Sequence, residues 1–486
     1  MKIALLLPDG VGIRNFVLSR FVREVASAHE LSILHVVPDE LLPTYQQGLE
    51  AAVRWQPLIP YTETPASQFA RHTLAYAHVA WADTKAMRFS QRMTVDRSGW
   101  RVRWLHRAAR GAAALLASPA GIRLAARAHG AVVARSAAVA HYRRLLAQLR
   151  PDIVFCTHQR PPIMIPAVAA ARELGVPTAT FIFSWDNLVG KGRIPAPFDH
   201  FLVWSAHMRD ELRRFYPDVG ADRIHIVGTP QFDFYADPEL VWPRERFFAH
   251  INADPSRPLI CYSGGDAGNS PEDPDHLRIL LEHIRAGRIR RDAQVLLRPA
   301  PVDSGQRFEH VRRDFPELIS CQPEWMWTGR HKWDQVLPLP ADAAFLTNLT
   351  RHADLNVNLA STMTLDFAIH DKPVVNVAFD VSAPPRFPPS LWEHHYGFEH
   401  YQAVIELGAA RFARSAEQYA EQISAYLADP SIDREGRRRL VELQLGRRPG
   451  ESTAAIIAAL ERIATPPQPP PAVVGAQAIA AVPPSP

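Results

Sequence analysis

Short apolar runs alternate with helix-like segments along most of the chain. Near the N-terminus, apolar runs at residues 2–8 and 31–37 flank a helix-like segment at 15–29. The alternation returns after residue 150 and starts again near residue 258, where the apolar run LICYS precedes a glycine-rich turn. Strands that alternate with helices in this way are typical of parallel α/β units. The pattern therefore predicts an α/β protein with two doubly wound, Rossmann-like domains that face each other across a cleft.

The same pattern predicts where the domains begin and end. Residues 1–235 are expected to form an N-terminal Rossmann-like domain that contains a mostly helical insertion at 65–150. Residues 236–257 are expected to connect it to a C-terminal Rossmann-like domain at 258–464. Residues 465–486 are rich in Pro and Ala and carry no charged side chain, so we expect a disordered tail.

The helical insertion is strongly basic. Residues 85–150 hold fourteen Lys or Arg and one acid, Asp96, whereas the whole chain has a formal net charge of only +4. Such a segment is either a solvated helical face or a surface that attracts an anionic partner, such as an anionic membrane. No recognised nucleic-acid-binding module accompanies it, so nucleic acid is not an expected partner.

Composition excludes several other classes of protein. The cysteines Cys156, Cys261 and Cys321 are far apart and form no CxxC pair, which argues against a zinc ribbon, a redox dithiol and a disulfide scaffold. The apolar run after Lys2 is too short for a secretory signal, and no uncharged apolar run is long enough to span a bilayer. The histidines lack metal-ligand spacing, so no metal site is predicted. We expect a cytoplasmic protein, or one held on the inner face of the membrane by its basic segment.

A serine–threonine pair in the second domain is the strongest candidate for phosphate binding. Ser361 and Thr362 follow an apolar strand and open a helix, where hydroxyls and free backbone N–H groups suit a phosphate or a diphosphate. Asp366 lies one turn inside that helix, within reach of a ribose hydroxyl. The alternative is an ordinary helix N-cap with Asp366 on a solvated face.

Further candidates lie in glycine loops that follow the first strand of each domain. In the second domain, Arg298 ends a neighbouring strand and is placed to hold an anion beside the loop residues Ser263, Gly264 and Gly265. In the first domain, the loop lacks the third glycine of a dinucleotide-binding fingerprint. It still allows a ligand to approach the backbone at the helix start, beside Gly12 and Arg14.

The loop SWDNLVGKGRIP of the first domain combines an aromatic ring, an acid, an amide and cations. This mixture suits contacts with an acceptor sugar or a phosphate through Trp185, Asp186, Asn187, Lys191 and Arg193. The preceding strand ends near His158, one loop away from Asp186 if the strands are adjacent. Either side chain is a candidate general base for a hydroxyl. The alternative for His158 is a helix-capping or core-edge histidine.

Segments between residues 150 and 464 carry a family resemblance: SWDNLVGKGRIP, VWSAHMRDEL, VGTPQFD, LLRPAPVD, ADLNVNLASTMTLDFAIHDKPVVNVAFD and PGESTAAIIAAL. They resemble the GT-B glycosyltransferase fold, and within it bacterial surface-polysaccharide transferases and the related CDP-glycerol glycerophosphotransferases. The resemblance implies that Ser361, Thr362 and Asp366 hold the diphosphate of a nucleotide donor. It also implies that the first domain holds the acceptor, often with a basic or amphipathic surface that docks on the membrane.

The chain departs from its relatives at identifiable positions. CDP-glycerol transferases usually show His-Pro where this chain has Ala300-Pro301, and an acid where Leu359 stands. UDP-sugar 2-epimerases share the architecture, but their donor loop is of an Asp-Ser-Gly-Gly type where this chain has Ala360-Ser361-Thr362-Met363.

We therefore expect a metal-independent glycosyltransferase without a tightly bound cofactor. It would move a sugar from a nucleotide-diphosphate donor to a hydroxyl of a polysaccharide or lipid-linked acceptor. The alternatives are a CDP-glycerol-type glycerophosphotransferase, a UDP-sugar 2-epimerase-like enzyme, and a catalytically inert GT-B-like binding subunit. The sequence predicts neither the donor base nor the oligomeric state.

Overall fold

The computed structural model covers most of the chain. The residues it describes are 1–49, 53–96, 99–329, 335–382, 385 and 390–465. The predicted disordered tail at 465–486 lies outside these residues, apart from residue 465.

The first sheet is parallel throughout, and its central strands are buried. Its strands are β1 Lys2–Leu7, β2 Glu30–His35, β3 Arg54–Pro57, β4 Ile153–Cys156, β5 Thr178–Phe181, β6 His200–Val203 and β7 Ile224–Ile226. In the described part of the chain, these seven strands lie in the order β3-β2-β1-β4-β5-β6-β7. The order reverses between β1 and β4, so the loops that follow these strands open a crevice at the carboxyl edge of the sheet.

The second half repeats this arrangement. Its strands are β8 Leu259–Ser263, β9 Gln294–Arg298, β10 Ile319–Ser320, β11 Trp325–Trp327, β12 Val336–Pro338, β13 Leu355–Asn358, β14 Val374–Val377 and β15 Arg411–Ala413. The parallel second sheet has the order β10-β9-β8-β13-β14-β15 among the described residues. The run VLPLP at residues 336–340 contains β12, which pairs antiparallel with β11 in a separate hairpin.

Helices connect the strands of the first half, and a block of them forms the predicted insertion between β3 and β4. They are α1 Gly10–Gly12, α2 Phe21–Ala28, α3 Leu42–Gln46, α4 Pro65–Ala82, α5 Lys85–Asp96, α6 Trp100–Ala114, α7 Pro119–Val133, α8 Ala137–Leu149, α9 Ile165–Glu173, α10 Asn187–Gly190 and α11 Ala206–Phe215. The block is interrupted near Ser118, whose hydroxyl caps α7 by accepting from the Gly121 amide at 3.1 Å.

The second half is helical between and after its strands. Its helices are α12 Arg244–His250, α13 Asp273–Arg285, α14 Glu309–Asp314, α15 Pro340–His352, α16 Met363–Ile369, α17 Leu391–Tyr396, α18 Gln402–Glu406, α19 Ala416–Ala428, α20 Arg434–Leu445 and α21 Ser452–Ala464. The last helix, α21, packs on β4 and α2 of the first half. Among the described helices, none is long and apolar enough to cross a membrane.

The predicted α/β architecture is confirmed. Both parallel sheets alternate strands with helices, and a helical block is inserted into the first half. The predicted domain bounds stay predictions, because α21 belongs to the second domain by sequence and lies against the first sheet.

Candidate active site

The carboxyl ends of the two sheets meet across an apolar contact. Val11, in the loop after β1, packs with Val302, Trp325 and Val336 of the second half. At Gly10 an added Cβ atom would clash with the carbonyl oxygen of Val336, so only glycine permits this approach. The loops that carry the predicted chemistry therefore lie near one another.

A carboxylate–imidazole pair lies at the switch point of the first sheet. Asp9 follows β1, and His158 follows the neighbouring strand β4. One carboxylate oxygen of Asp9 accepts a hydrogen bond from the Gly12 amide at 2.9 Å, and the other pairs with Nδ1 of His158. The ring of Phe183 lies 4.1 Å from the imidazole of His158, between ring centres. The histidine is thus oriented from two sides.

The charge on this pair is fixed by its surroundings. Burial alone would raise the pKa of Asp9, but the charge and hydrogen bond of His158 and the amides of Gly12 and Val11 lower it overall. Asp9 therefore stays ionised and favours a proton on Nδ1 of His158. The opposite nitrogen, Nε2, has no hydrogen-bond partner among the described residues. An imidazole held in this way is suited to accept a proton at Nε2.

The sequence predicted His158 as a candidate base but missed Asp9. The signal was present, because an acid directly after the first strand, followed by glycine, marks a helix start. What was missing was the pairing of β1 with β4, which brings residues 149 positions apart into contact.

A buried arginine marks the second half of the cleft. Arg298 ends β9, and its Nη2 donates to Asp342 at 2.8 Å. Asp342 also accepts from the Glu324 amide at 3.0 Å and from Nε1 of Trp325 at 2.8 Å. The other terminal nitrogen of Arg298, Nη1, is buried without a partner among the described residues. An unsatisfied guanidinium nitrogen at a strand end is suited to an anionic group.

Arg14 brings a second cation to this place from the first half. Burial lowers the pKa of Arg14, while Asp366, Tyr235 and Asp342 act against that shift. The positive charge of Arg298 adds to the lowering of the pKa of Arg14.

Asp366 faces the protein interior. Its carboxylate accepts a hydrogen bond from the hydroxyl of Tyr235, and only 4% of its surface is exposed. Burial raises its pKa to about 6, against the opposing effects of Tyr235, Arg14 and Arg298. The carboxylate is therefore turned inward in this arrangement, and its predicted role in donor binding stays a prediction.

The serine–threonine turn before α16 is partly closed by its own bonds. Ser361 donates its amide to Oδ1 of Asn358 at 2.9 Å, and its hydroxyl accepts from the Met363 amide at 3.3 Å. The backbone turns through a left-handed residue, Ala360, with φ of 47°. Thr362 is half-buried at the start of the helix. The predicted diphosphate contacts of Ser361 and Thr362 stay predictions.

The glycine loop after β8 is saturated by protein groups. The Gly265 amide donates to Asp273 at 2.8 Å, and the Gly264 amide donates to the carbonyl of Arg298 at 3.0 Å. The hydroxyl of Ser263 accepts from Asn356 at 2.7 Å. The two glycine amides are therefore not available to a phosphate in this arrangement, and the predicted donor contacts of the loop stay untested.

The loop after β5 packs across the cleft through its aromatic residue. The ring of Trp185 lies 5.4 Å from His400 and 5.8 Å from Tyr401 of the second half, between ring centres. In the same loop, the Arg193 guanidinium lies 4.2 Å from the ring centre of Tyr216 and is turned toward α11.

Asp186 is held as an ionised carboxylate. Its carboxylate lies 3.8 Å from Lys191 and accepts from Nδ2 of Asn187 at 3.0 Å. Burial alone would raise the pKa of Asp186, but Lys191, His400 and hydrogen bonds from Ser184 and Asn187 lower it well below its usual range. A carboxylate this acidic is a weak base. Asp186 and His158 have no recorded bond to each other, so the structure brings them to one edge without joining them.

The described residues contain no group of three or more His, Cys, Asp or Glu side chains that could hold a metal ion. The candidate chemistry is carried by one imidazole, its carboxylate and two arginines.

Comparison with known proteins identifies the fold. The chain is similar to the UDP-GlcNAc 2-epimerase of Neisseria meningitidis bound to UDP-GlcNAc, with a TM-score of 0.53 and 9% identity over 95% of this chain and 100% of that one. It is also similar to the UDP-N-acetylglucosamine 2-epimerase of Rickettsia bellii, with a TM-score of 0.52 and 10% identity over 95% and 97% of the chains. A putative epimerase of Listeria monocytogenes gives a TM-score of 0.51 and 11% identity over 95% of both chains.

These likenesses define a two-domain GT-B fold, and at such identities they define the fold alone. They confirm the predicted GT-B fold and do not support the predicted relation to CDP-glycerol glycerophosphotransferases. No protein-family model matches the chain, and no curated protein is similar to it in sequence.

Proposed function

We propose that this chain binds a nucleoside-diphosphate sugar between its sheets and transfers the sugar to a hydroxyl of a polysaccharide or lipid-linked acceptor. The observation that carries the proposal is the Asp9–His158 pair, whose free Nε2 lies at the switch point of the first sheet. The nucleotide sugar is favoured as ligand because a structure of this fold is bound to UDP-GlcNAc.

Arg14 and Arg298 supply the charge for the diphosphate. Negative charge grows on the diphosphate as the bond from its oxygen to the sugar breaks, so positioned cations stabilise the transition state more than the ground state. The unpaired Nη1 of Arg298 is the donor that a phosphate oxygen would satisfy. This use of arginines requires no metal ion.

His158 supplies the base. Its Nε2 accepts the proton of the acceptor hydroxyl while that oxygen bonds to the sugar carbon, and the diphosphate leaves with the electron pair of the broken bond. Asp9 holds the proton on Nδ1 and stabilises the imidazolium that forms. Asp186 is the weaker candidate, because its neighbours keep it strongly acidic.

Epimerisation of a UDP-sugar is the second candidate, favoured by the epimerase structures that share the fold. The loop Ala360-Ser361-Thr362-Met363 differs from the epimerase donor loop and favours transfer instead. A catalytically inert binding subunit is the remaining alternative.

A thermal-shift panel of UDP, GDP, CDP, CMP and dTDP, with and without magnesium, tests donor binding first. A ligand at about a hundred times its dissociation constant stabilises by roughly 2.7 kcal/mol, a shift of a few degrees at this size. We expect one diphosphate to stabilise the protein equally with and without magnesium. The double variant Arg298→Gln/Asp342→Asn removes both charges of the buried pair and should melt normally without responding to that nucleotide. A flat panel would favour the inert subunit.

Product analysis then separates the two enzymatic candidates. Transfer releases the nucleoside diphosphate only when an acceptor is present, whereas epimerisation alters the sugar and leaves it attached to the nucleotide. An altered nucleotide sugar formed without any acceptor would reject glycosyl transfer.

A further inference from the structure

A cavity lies between the helical insertion and the second half of the molecule. Its volume of about 370 Å³ falls in the size range of small-molecule sites. Helix α5 of the insertion forms one wall, and α17 with the turn that follows it forms the other. The side chains that line the cavity include Lys85, Arg88, Phe89, Arg92, Glu393 and Phe398. None of them belongs to the candidate active site, so the cavity is a separate feature of the molecule.

Contacts between the two halves fix the walls of this cavity. The carboxylate of Glu399 accepts from the first two amides of α5, at 2.7 Å and 3.2 Å, and so holds the start of that helix. The ring of Phe89 lies 5.0 Å from the ring of His394 and 5.3 Å from that of Phe398, between ring centres. Aromatic rings at such separations attract one another. The cavity is therefore bounded by elements that are held in place from both sides.

Cations outnumber acids around the cavity. Lys85, Arg88 and Arg92 follow one another at intervals of three and four residues, which places them on one side of α5. Arg88 pairs with Asp83, whereas Lys85 and Arg92 have no carboxylate partner among the described side chains. The carboxylate of Glu393 lines the same cavity and forms no ion pair with them in the described structure. Two cations are thus left to meet the charge of a ligand.

We propose that this cavity is a second ligand site and that it binds a saccharide bearing carboxylate or phosphate groups. Lys85 and Arg92 hold the negative groups through charge-assisted hydrogen bonds. Glu393 accepts hydrogen bonds from sugar hydroxyls. The rings of Phe89 and Phe398 supply apolar surface for the carbon face of a sugar ring. The proposal goes beyond the sugar transfer proposed above and does not depend on it, because binding here needs neither a nucleotide nor turnover.

The mixture of side chains selects this class of ligand over simpler ones. A neutral saccharide leaves the two cations unused. A compact inorganic anion leaves the aromatic rings without a contact and meets the negative charge of Glu393. A saccharide with negative groups satisfies the cations, the carboxylate and the rings together, as a site with convergent polar groups and an apolar lining requires.

Calorimetric titration of the full chain, with no nucleotide present, tests the proposal. Two matched pairs of probes are used: tetragalacturonate against neutral maltotetraose, and glucose 6-phosphate against inorganic phosphate. We expect saturable binding of a charged saccharide, weakened by salt because the exposed charges are screened. Maltotetraose and inorganic phosphate should each bind at least about tenfold more weakly than their charged or sugar-bearing counterparts. The pair that shows the larger difference identifies the negative group as a carboxylate or a phosphate.

Variants locate the binding in the cavity. Lys85→Gln/Arg92→Gln removes both unpaired cations and should weaken binding of the charged saccharide about tenfold. Phe89→Leu keeps an apolar side chain but removes the ring, and it should weaken binding about threefold. The matched control Arg101→Gln/Arg103→Gln removes two exposed cations from α6, elsewhere in the insertion, and should bind like the parent. Melting curves check that every variant folds.

Glu393 supplies a variant whose effect has the opposite sign. Glu393→Gln keeps an oxygen that accepts hydrogen bonds from hydroxyls but removes the negative charge. It should therefore strengthen binding of the charged saccharide about threefold and leave maltotetraose unchanged. Because Glu393 is exposed, this variant tests the site even where Phe89→Leu fails to fold.

Three results would overturn the proposal. One is the absence of binding by both tetragalacturonate and glucose 6-phosphate at low salt. Another is binding that survives Lys85→Gln/Arg92→Gln, or that falls equally in the α6 control, since either would assign it to the charge of the insertion as a whole. The third is inorganic phosphate that binds as tightly as glucose 6-phosphate, which would reduce the cavity to an anion site.

Discussion

The loops after β1 and β8 stand at matching places in the two sheets, and each is held by a buried aspartate. In the first half, Asp9 gives one oxygen to the Gly12 amide and the other to His158. In the second half, Asp273 accepts from Tyr262 at 3.0 Å, from the Gly265 amide at 2.8 Å and from Arg307 at 3.0 Å.

The two networks differ in what they leave open. The first ends at Nε2 of His158, which has no partner in the described structure. The second closes on itself, because Arg307 also donates to Asp303 at 2.6 Å and to the Gly265 carbonyl at 2.8 Å. Burial raises the pKa of Asp273 despite Arg307, whereas the pKa of Asp9 is lowered overall. A glycine loop in a sequence is therefore not enough to indicate a ligand site. A donor or acceptor that the loop's hydrogen-bond network leaves unused is the better indication.

The largest expected effect is on turnover, and it tests the hydrogen-bond network of Asp9 that ends at Nε2 of His158. His158→Gln should lower turnover about 10³-fold, since it removes the base while leaving the arginines in place. Nucleotide-induced thermal shifts should stay close to those of the parent. The comparison variants are Asp186→Asn, which should retain more activity, and His141→Gln, a histidine on α8 outside the cleft. Equal loss of turnover and nucleotide binding would contradict the role of His158.

Changes to the network around Asp273 should affect the free energy of unfolding. Asp273→Ala leaves the buried Tyr262 hydroxyl without its acceptor and Arg307 with one carboxylate fewer, so we expect a loss of about 3–4 kcal/mol in unfolding free energy. Denaturant unfolding measures it, with Asp275→Ala, two residues along and half-buried, as the control. Turnover per folded molecule should be unchanged. A large loss of turnover in folded protein would mean that the second loop also serves chemistry.

Asp366 is a third buried carboxylate that can be compared with Asp9 and Asp273 through the pH dependence of stability. Its pKa of about 6 in the folded protein lies above the ordinary value of 3.8, so the folded state retains a proton that the unfolded chain loses. Stability contributed by this group is therefore present at low pH and is lost as pH rises from about 4 to about 6. Asp366→Asn removes this dependence.

The unfolding free energy of Asp366→Asn relative to the parent should rise by up to about 3 kcal/mol between about pH 4 and pH 7. Denaturant melts across this range measure the difference, and Asp275→Asn supplies a half-buried control carboxylate that makes no ion pair in the described structure. Parallel pH curves for parent and variant would show that Asp366 is not protonated in the fold.

The smallest expected effects come from the glycines themselves. An added Cβ at Gly12 would clash with the hydroxyl of Thr157, and one at Gly265 would clash with the hydroxyl of Ser270. Gly12→Ala and Gly265→Ala should each cost about 1–2 kcal/mol, partly recovered with Thr157→Ala or Ser270→Ala. Only Gly12→Ala should also lower turnover, because Thr157 adjoins His158. Equal effects of both on turnover would remove the distinction between the loops.

Local hydrophobic patterns predicted strands and helices at the centre of the sheets but missed the strands at their edges. The apolar run LICYS is β8, and the helix predicted to open at Ser361 and Thr362 is α16. The edge strands Arg54–Pro57 and Arg411–Ala413 were missed, since they are short and hold few apolar residues in sequence. VLPLP does contain a strand, but an apolar run does not reveal whether that strand pairs in a sheet or in a hairpin.

The sequence named candidate residues but not their partners. His158 and Arg298 were named from the ends of strands and Arg14 from the glycine loop after β1, and their roles stay predictions. Tyr235, which binds Asp366 from 131 residues away, and Asp342, which neutralises Arg298 from 44 residues away, have no local signal. Such partners follow from how the halves pack, which a reading of single segments does not contain.

The contact of Val11 with Val302, Trp325 and Val336 has a consequence for how tightly any substrate is held. Nε2 of His158 is buried in this structure, so a ligand that contacts it requires the surrounding groups to move, and opening of the halves at this contact would provide such a movement. Apparent affinity is then the intrinsic affinity multiplied by the fraction of open molecules. Because this contact is apolar, the fraction of open molecules should grow on cooling, when hydrophobic association weakens. It should respond little to salt. Temperature, more than ionic strength, would set how much of the protein is ready to bind.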